Sequence, residues 1–271
     1  MSRLETWARF TVGLLVTAVL SIITIAVLVL LLPWRHLRIR VCNVYGKVLG
    51  RSVLYIAGTT PLVRHHERIA QSYPAIYVSN HSSVLDVFAG IWLCPYGGCG
   101  VGKKEIIRAP FFGQLYLLSG HLRVDRGNRE SAIAALKDTA ELVKKHHLSL
   151  WIWPEGTRSR DGRLLPLKKG FAHMALATGL PIVPIVLHNA HKGWAARTFT
   201  LHRLMLEVDV LPAIDTSQWR LETLDSHIAE VHKAFADTLG DEQKPITSTA
   251  VARSLEPPAP APEGTPTVTA V

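Results

Sequence analysis

Residues 10–32 carry no charged side chain, and Thr and Ser are their only polar ones. As a helix this run would extend roughly 35 Å, enough to cross a bilayer core with some tilt. It is apolar on all faces, unlike the one-sided helix of a soluble domain. It is also longer than the core of an ordinary signal peptide, and Pro33, Trp34 and Arg35 follow it where a small-residue cleavage site would stand. Residues 37–57 then mix Ile39, Val41, Val44, Val48, Leu49, Val53, Leu54 and Ile56 with basic side chains, which predicts an amphipathic helix lying on anionic headgroups. A single span and a re-entrant helical pair, with both ends on one side, both fit this pattern. Residues 67–72 read as a surface turn or linker.

From residue 75 the period changes, and short apolar runs rich in strand formers alternate with helical stripes. Strands are predicted over 75–79, 99–102, 121–124, 148–153, 182–187 and 204–211, and helices over 84–93, 128–145, 168–178 and 218–239. Asn128 is the expected N-cap of the second of these helices, with Ile133, Leu136, Ala140 and Val143 as its inner stripe, and Gly179 closes the third. The alternation predicts a single α/β catalytic domain, with a mixed, largely parallel sheet flanked by helices, preceded by an N-terminal membrane helix. The organisation expected is a membrane anchor over 1–35, an interfacial helical segment and linker over 36–72, the domain over 73–243 and a Pro-rich disordered tail over 244–271.

Composition narrows the partners. Across 271 residues the net charge is +9, so an anionic partner is expected, while 48% apolar against 19% charged residues favours membrane phospholipids and a phosphorylated substrate over nucleic acid. Arg3 and Arg9 precede the apolar run and Arg35, Arg38, Arg40, Lys47 and Arg51 follow it, a bias that puts the bulk of the chain in the cytoplasm. Trp7 and Trp34 fit as interfacial anchors. Cys42, Cys94 and Cys99 form no Cys-x-x-Cys pair, and the His pairs 65–66 and 146–147, like His188 and His191, lack companion ligands, so neither a disulfide framework nor a metal site is expected.

Candidate chemistry centres on His81 and Asp86, a side chain of the type most used as a general base and a carboxylate able to orient it. Five residues on an ideal helix correspond to about 500 degrees, which leaves the two side chains roughly 140 degrees apart. The pair therefore needs a bend, with His81 in the turn after a strand and Asp86 at the start of the next helix. Three further loops carry polar or rigid residues: Lys103, Lys104 and Glu105 with residues 120–126; Glu155, Gly156, Thr157 and Arg158; and residues 180–186, whose two prolines predict a rigid wall or an edge strand.

Together these stretches resemble the four ordered motifs of the glycerolipid acyltransferase family: His-x-x-x-x-Asp at His81 and Asp86, a Gly-rich run ending in Asp125-Arg126, Glu-Gly-Thr-Arg at Glu155 to Arg158, and a Pro-containing apolar strand at 180–186. The flanking segments look most like those of 1-acylglycerol-3-phosphate acyltransferases. That resemblance implies a glycerol-3-phosphate acyltransferase-like fold and transfer of an acyl group, from acyl-CoA or acyl carrier protein, to the sn-2 hydroxyl of lysophosphatidate, giving phosphatidate with no cofactor. A related enzyme acting on glycerol 3-phosphate, a lysophospholipid or a lyso-aminolipid is the alternative, and a non-catalytic lipid-binding protein is the alternative of another class. In the acyltransferase reading His81 takes the acceptor's proton and Asp86 orients it. Lys104, Arg126 and Arg158 hold the phosphate, aided by Gly156 and Thr157, and Glu155 orients Arg158 or contacts the glycerol. Backbone N–H groups at the start of the helix after His81 are candidates for the oxyanion. Phe111, Phe112, Leu115 and the strand at 180–186 are candidates for an acyl channel. Ser82, His121, Arg123 and Trp153 depart from the family's usual residues.

Overall fold

All four residues from Ile76 to Ser79 are buried, as are all four from Ser149 to Ile152 and all six from Ile182 to Leu187, which is the mark of strands covered on both faces. The computed structural model describes residues 1–103, 107–108, 112–124, 129–195 and 198–246. Phe111, Lys104, Arg126, Asn128 and most of the expected tail lie outside these. In chain order the elements are α1 (Arg3–Leu30), α2 (Arg35–Ile56), β1 (Thr59–Arg64), α3 (Glu67–Gln71), β2 (Ile76–Ser79), α4 (Leu85–Leu93), β3 (Gly98–Lys103), α5 (Phe112–Leu118), β4 (Leu122–Val124), α6 (Arg129–His146), β5 (Ser149–Ile152), α7 (Gly170–Thr178), β6 (Ile182–Leu187), α8 (Ala190–Gly193), β7 (Leu204–Val210) and α9 (Leu224–Thr238).

The seven strands form one sheet in the order β1-β7-β6-β2-β5-β3-β4. Every neighbouring pair is parallel except β6 with β7. On one face, Ile76, Val78, Leu150, Ile182 and Val186 pack with Val143 of α6, Phe171 and Met174 of α7 and Phe235 of α9. On the other, Tyr77, Trp151, Val183 and Ile185 pack with Leu54 of α2 and Leu85 and Ala89 of α4. Burying one such side chain stabilises the fold by about 1.5–3 kcal/mol, so this double-sided core dominates its stability.

Three expectations change. The sheet begins at Thr59, before the boundary expected at 73, because β1 pairs in parallel with β7 along the sheet edge. Its half-exposed pattern and its Pro61 conceal it in the sequence, and an edge strand tolerates both. β6 is an internal strand, between β7 and β2, and not an edge. Its Pro184 is accommodated because β7 ends at Val210: Ile182 N–H donates to Ile214 O, and two residues on, Pro184 meets this side only as an acceptor, from Leu211 N–H at 2.9 Å. The last helix starts at Leu224 and not near 218, since Trp219 is buried in the core ahead of it.

α1 and α2 form an antiparallel hairpin laid along the α4 face. Arg9 of α1 donates to Ile56 O at the end of α2, and Ser21 Oγ meets Tyr45 OH at 2.9 Å midway. At its far end Leu28 packs with Cys42, Leu49 and Leu115. Close approach of α2 to α4 depends on Gly46 and Gly50: a Cβ at Gly50 would lie 2.4 Å from Phe88 O, and one at Gly46 2.9 Å from Ile91 O. The outer flank of α1, including Trp7, Leu14, Leu15, Val19, Ile22 and Ile23, remains exposed.

Candidate active site

β2 delivers Asn80 and His81 at its carboxyl end, and α4 begins four residues later. Asn80 fixes the exit from the strand by pairing both ways with Leu187 at the end of β6, its Nδ2 donating to Leu187 O at 2.9 Å and its Oδ1 accepting from Leu187 N–H at 2.8 Å. The bend required by the spacing follows. Asp86 Oδ2 lies 3.1 Å from His81 Nδ1 and accepts the backbone N–H groups of Ser82 and Ser83 at 2.5 and 2.7 Å. Asp86 is fully buried, whereas the His81 ring keeps 13% of its surface. With Nδ1 facing the carboxylate, Nε2 is the ring nitrogen left over for other chemistry, and it makes no hydrogen bond among the described residues.

This turn narrows one expectation. The N–H groups of Ser82 and Ser83 are engaged by Asp86, and Leu85 N–H by Ser83 Oγ at 3.0 Å, so these donors at the helix start are not available to an oxyanion. Ser83 Oγ in turn donates to Trp194 O at 2.6 Å, which ties the loop after α8 to the turn.

The Glu155 to Arg158 loop leaves β5 beside this turn. Trp153 stacks on the His81 ring with centroids 5.1 Å apart. Glu155 is buried, and its two oxygens accept the N–H groups of His81 at 2.6 Å and of Leu165 at 2.9 Å. Burial pushes its carboxyl up to about 8, against the pull of those two donors and with a further upward push from Asp86. Gly156 turns the chain with φ +74, a conformation that favours glycine. Thr157 and Arg158 are exposed beyond it. Ser159 N–H then donates to His81 O at 2.8 Å, so the loop is fastened to the His81 peptide on both sides of Arg158. Arg158 makes no ion pair among the described residues, and its guanidinium faces solvent.

Beside Trp153 a cavity of about 80 Å³ opens between the sheet and the helices, lined by Gly46, Gly90, Phe112, Leu115, Tyr116 and Trp151 among others. Of the acyl-channel candidates, Phe112 and Leu115 line it. The strand at 180–186 does not. His121 also lines it, its Nδ1 accepting from Gly100 N–H at 3.2 Å, and burial pushes its imidazole down to about 4, so it is neutral. The cavity is therefore mostly apolar, and its few polar lining groups, Asn43, Tyr116 and His121 among them, include a neutral imidazole.

Residues 61–188 match the acyltransferase family. A 1-acyl-sn-glycerol-3-phosphate acyltransferase from Limnanthes douglasii is 44% identical over 223 residues, covering 82% of this chain and 79% of that protein. The chain belongs to the acyltransferase family. Proteins of the same name from Cocos nucifera, 41% identical over 248 residues with 86% and 80% covered, and from Escherichia coli strain K12, 37% identical over 180 residues with 62% and 73% covered, agree. The solved structure of the LPA acyltransferase PlsC from Thermotoga maritima superposes with a TM-score of 0.69 at 20% identity, over 84% of this chain and 91% of that one, which bears out the mixed α/β fold.

In this acyltransferase the structure brings together His81, Asp86, Glu155, Gly156, Thr157 and Arg158, while Lys104 and Arg126 lie outside the described residues. Trp194 escaped the sequence reading, and Ser159 and Leu165 entered it only as members of the stretches that resemble the family, with no role of their own. They act on the site through backbone N–H and C=O groups, which every residue type supplies, so no side-chain signal exists to find them.

Proposed function

We propose that the enzyme transfers an acyl group from an acyl thioester, acyl-CoA or acyl carrier protein, to the sn-2 hydroxyl of 1-acylglycerol 3-phosphate, forming phosphatidate. The observation that carries this reading is the His81–Asp86 couple, with Nδ1 engaged by a buried carboxylate and Nε2 free of partners among the described residues at the carboxyl end of β2. Nε2 removes the proton of the acceptor hydroxyl as its oxygen attacks the thioester carbonyl. The tetrahedral intermediate collapses by breaking the C–S bond, and the same Nε2 proton passes to the departing thiolate. Asp86 holds the imidazole in one orientation and stabilises its cationic form throughout. No covalent acyl-enzyme is needed.

Arg158 is the phosphate contact best supported, being exposed, without an ion pair among the described residues and held on a loop fastened to His81, and Lys104 and Arg126 complete the set in this proposal. The cavity beside Trp153 receives the acyl chain, since it is apolar and adjoins the base. The exposed flank of α1 rests in the membrane. Because α1 returns to the body at both ends, through Arg9 and Ile56 at one and Leu28 at the other, the hairpin enters from one side as a pair instead of crossing by α1 alone. The basic residues after position 34 put that side in the cytoplasm.

Detergent-solubilised protein given lysophosphatidate and an acyl thioester should release thiol and form phosphatidate in equal amounts. Thiol without phosphatidate would overturn the proposal, and competition among glycerol 3-phosphate, lysophospholipids and lysophosphatidate would name the acceptor. His81→Ala should lower kcat about 10²- to 10⁴-fold with the protein still membrane-bound; near-normal turnover would remove His81 from the mechanism.

A further inference from the structure

Glu155 stands among residues whose chemistry invites a substrate contact, yet only 2% of it is exposed. Its Oε1 is held by the His81 N–H and its Oε2 by the Leu165 N–H, so the carboxylate lies beneath the reacting groups and spans two segments of backbone. The far segment is itself fastened: Leu164 N–H donates to Gln243 O at 2.8 Å, and the Gln243 side chain, 1% exposed, accepts from Asn189 N–H at 2.8 Å. The His81 peptide is thus gripped at its N–H by Glu155 and at its C=O by Ser159 N–H.

We infer that Glu155 is a positioning residue, which sets the base by clamping the His81 peptide to the loop around Leu165 and makes no contact with the acceptor. The inference rests on the acylation proposed above. The physical reason lies in tolerance: a buried carboxyl group whose two oxygens each take a backbone N–H ties two segments of chain in one geometry, and a displacement of roughly 1 Å in a reacting group lowers rates about 10²-fold. A clamp therefore acts on turnover. A ligand to the glycerol or phosphate would act on acceptor affinity.

Glu155→Gln tests this. The amide has nearly the same volume but one acceptor oxygen, and whichever way it is turned its NH₂ faces one of the two N–H donors. The expected result is a kcat lowered about 10- to 100-fold, with the acceptor and donor KM each within about twofold of wild type. A raised acceptor KM with unchanged kcat would overturn the inference. Amide hydrogen exchange on the wild-type protein provides a readout independent of turnover and of whether the variant folds. The His81 and Leu165 amides should exchange far more slowly than those of Thr157 and Arg158, and equal rates would equally overturn it. Should wild-type protein make no phosphatidate, the acylation reading fails while the exchange comparison still decides the clamp.

Discussion

Asp86 Oδ2 gathers three N–H groups, from His81, Ser82 and Ser83, while Oδ1 is buried without a partner among the described residues. One oxygen thus both shapes the turn and faces the base. Asp86→Asn separates these roles, because the amide oxygen can still take the two backbone donors but no longer carries the charge that stabilises the imidazolium. Steady-state assays should find kcat lowered by about 10³- to 10⁴-fold with acceptor KM little changed. His121 makes a prediction in pH. Burial holds its folded pKa near 4, below the ordinary histidine value, so the unfolded chain takes up the proton first on acidification. Its neutral form therefore contributes stability above about pH 6.5 that is lost as pH falls towards 4. Melting temperatures across that window should fall less steeply in His121→Gln than in the wild type. The meeting of His81 with Asp86 was legible in the sequence because their spacing demands a bend and their side chains carry the contact. Glu155 was legible as a residue but not as a clamp, since its partners are two peptide N–H groups that no residue name reveals.

Elements were legible where burial and period agree. β6 runs over the predicted residues, and α7 ends at the predicted Gly179, in a left-handed conformation with φ 71. β1 was not, because an edge strand that buries little leaves no period to read. The α2–α4 contact was also hidden: glycines within a helical pattern lower helix propensity, and only the facing backbone explains them. Gly50→Ala would bring a methyl group to 2.4 Å from Phe88 O and 2.9 Å from Trp92 N, backbone atoms that cannot move aside cheaply. Denaturant titration should find a loss of about 1–3 kcal/mol. Gly46→Ala, at 2.9 Å from Ile91 O, should cost less, and Gly170→Ala, with nothing within 4 Å, should not destabilise the protein.

For the whole molecule, the hairpin packed on the α4 side of the sheet presents the exposed apolar flank of α1 to the outside. Replacing Leu15, Val19 and Ile22 on the exposed side of α1 by Ser should release the protein from phospholipid vesicles in a flotation assay, while turnover of a short-chain lysophosphatidate dissolved in buffer persists, because none of the three supports the core. Retention on the vesicles would place the contact elsewhere. The hairpin's return to the body at both ends has a kinetic consequence if, as proposed above, it enters the membrane from one side. The enzyme then encounters an amphiphilic acceptor by lateral diffusion, and the quantity expected to set its rate is the number of acceptor molecules per unit area and not their concentration in the buffer. Thinning the acceptor with inert lipid slows such an enzyme; diluting the vesicles themselves does not.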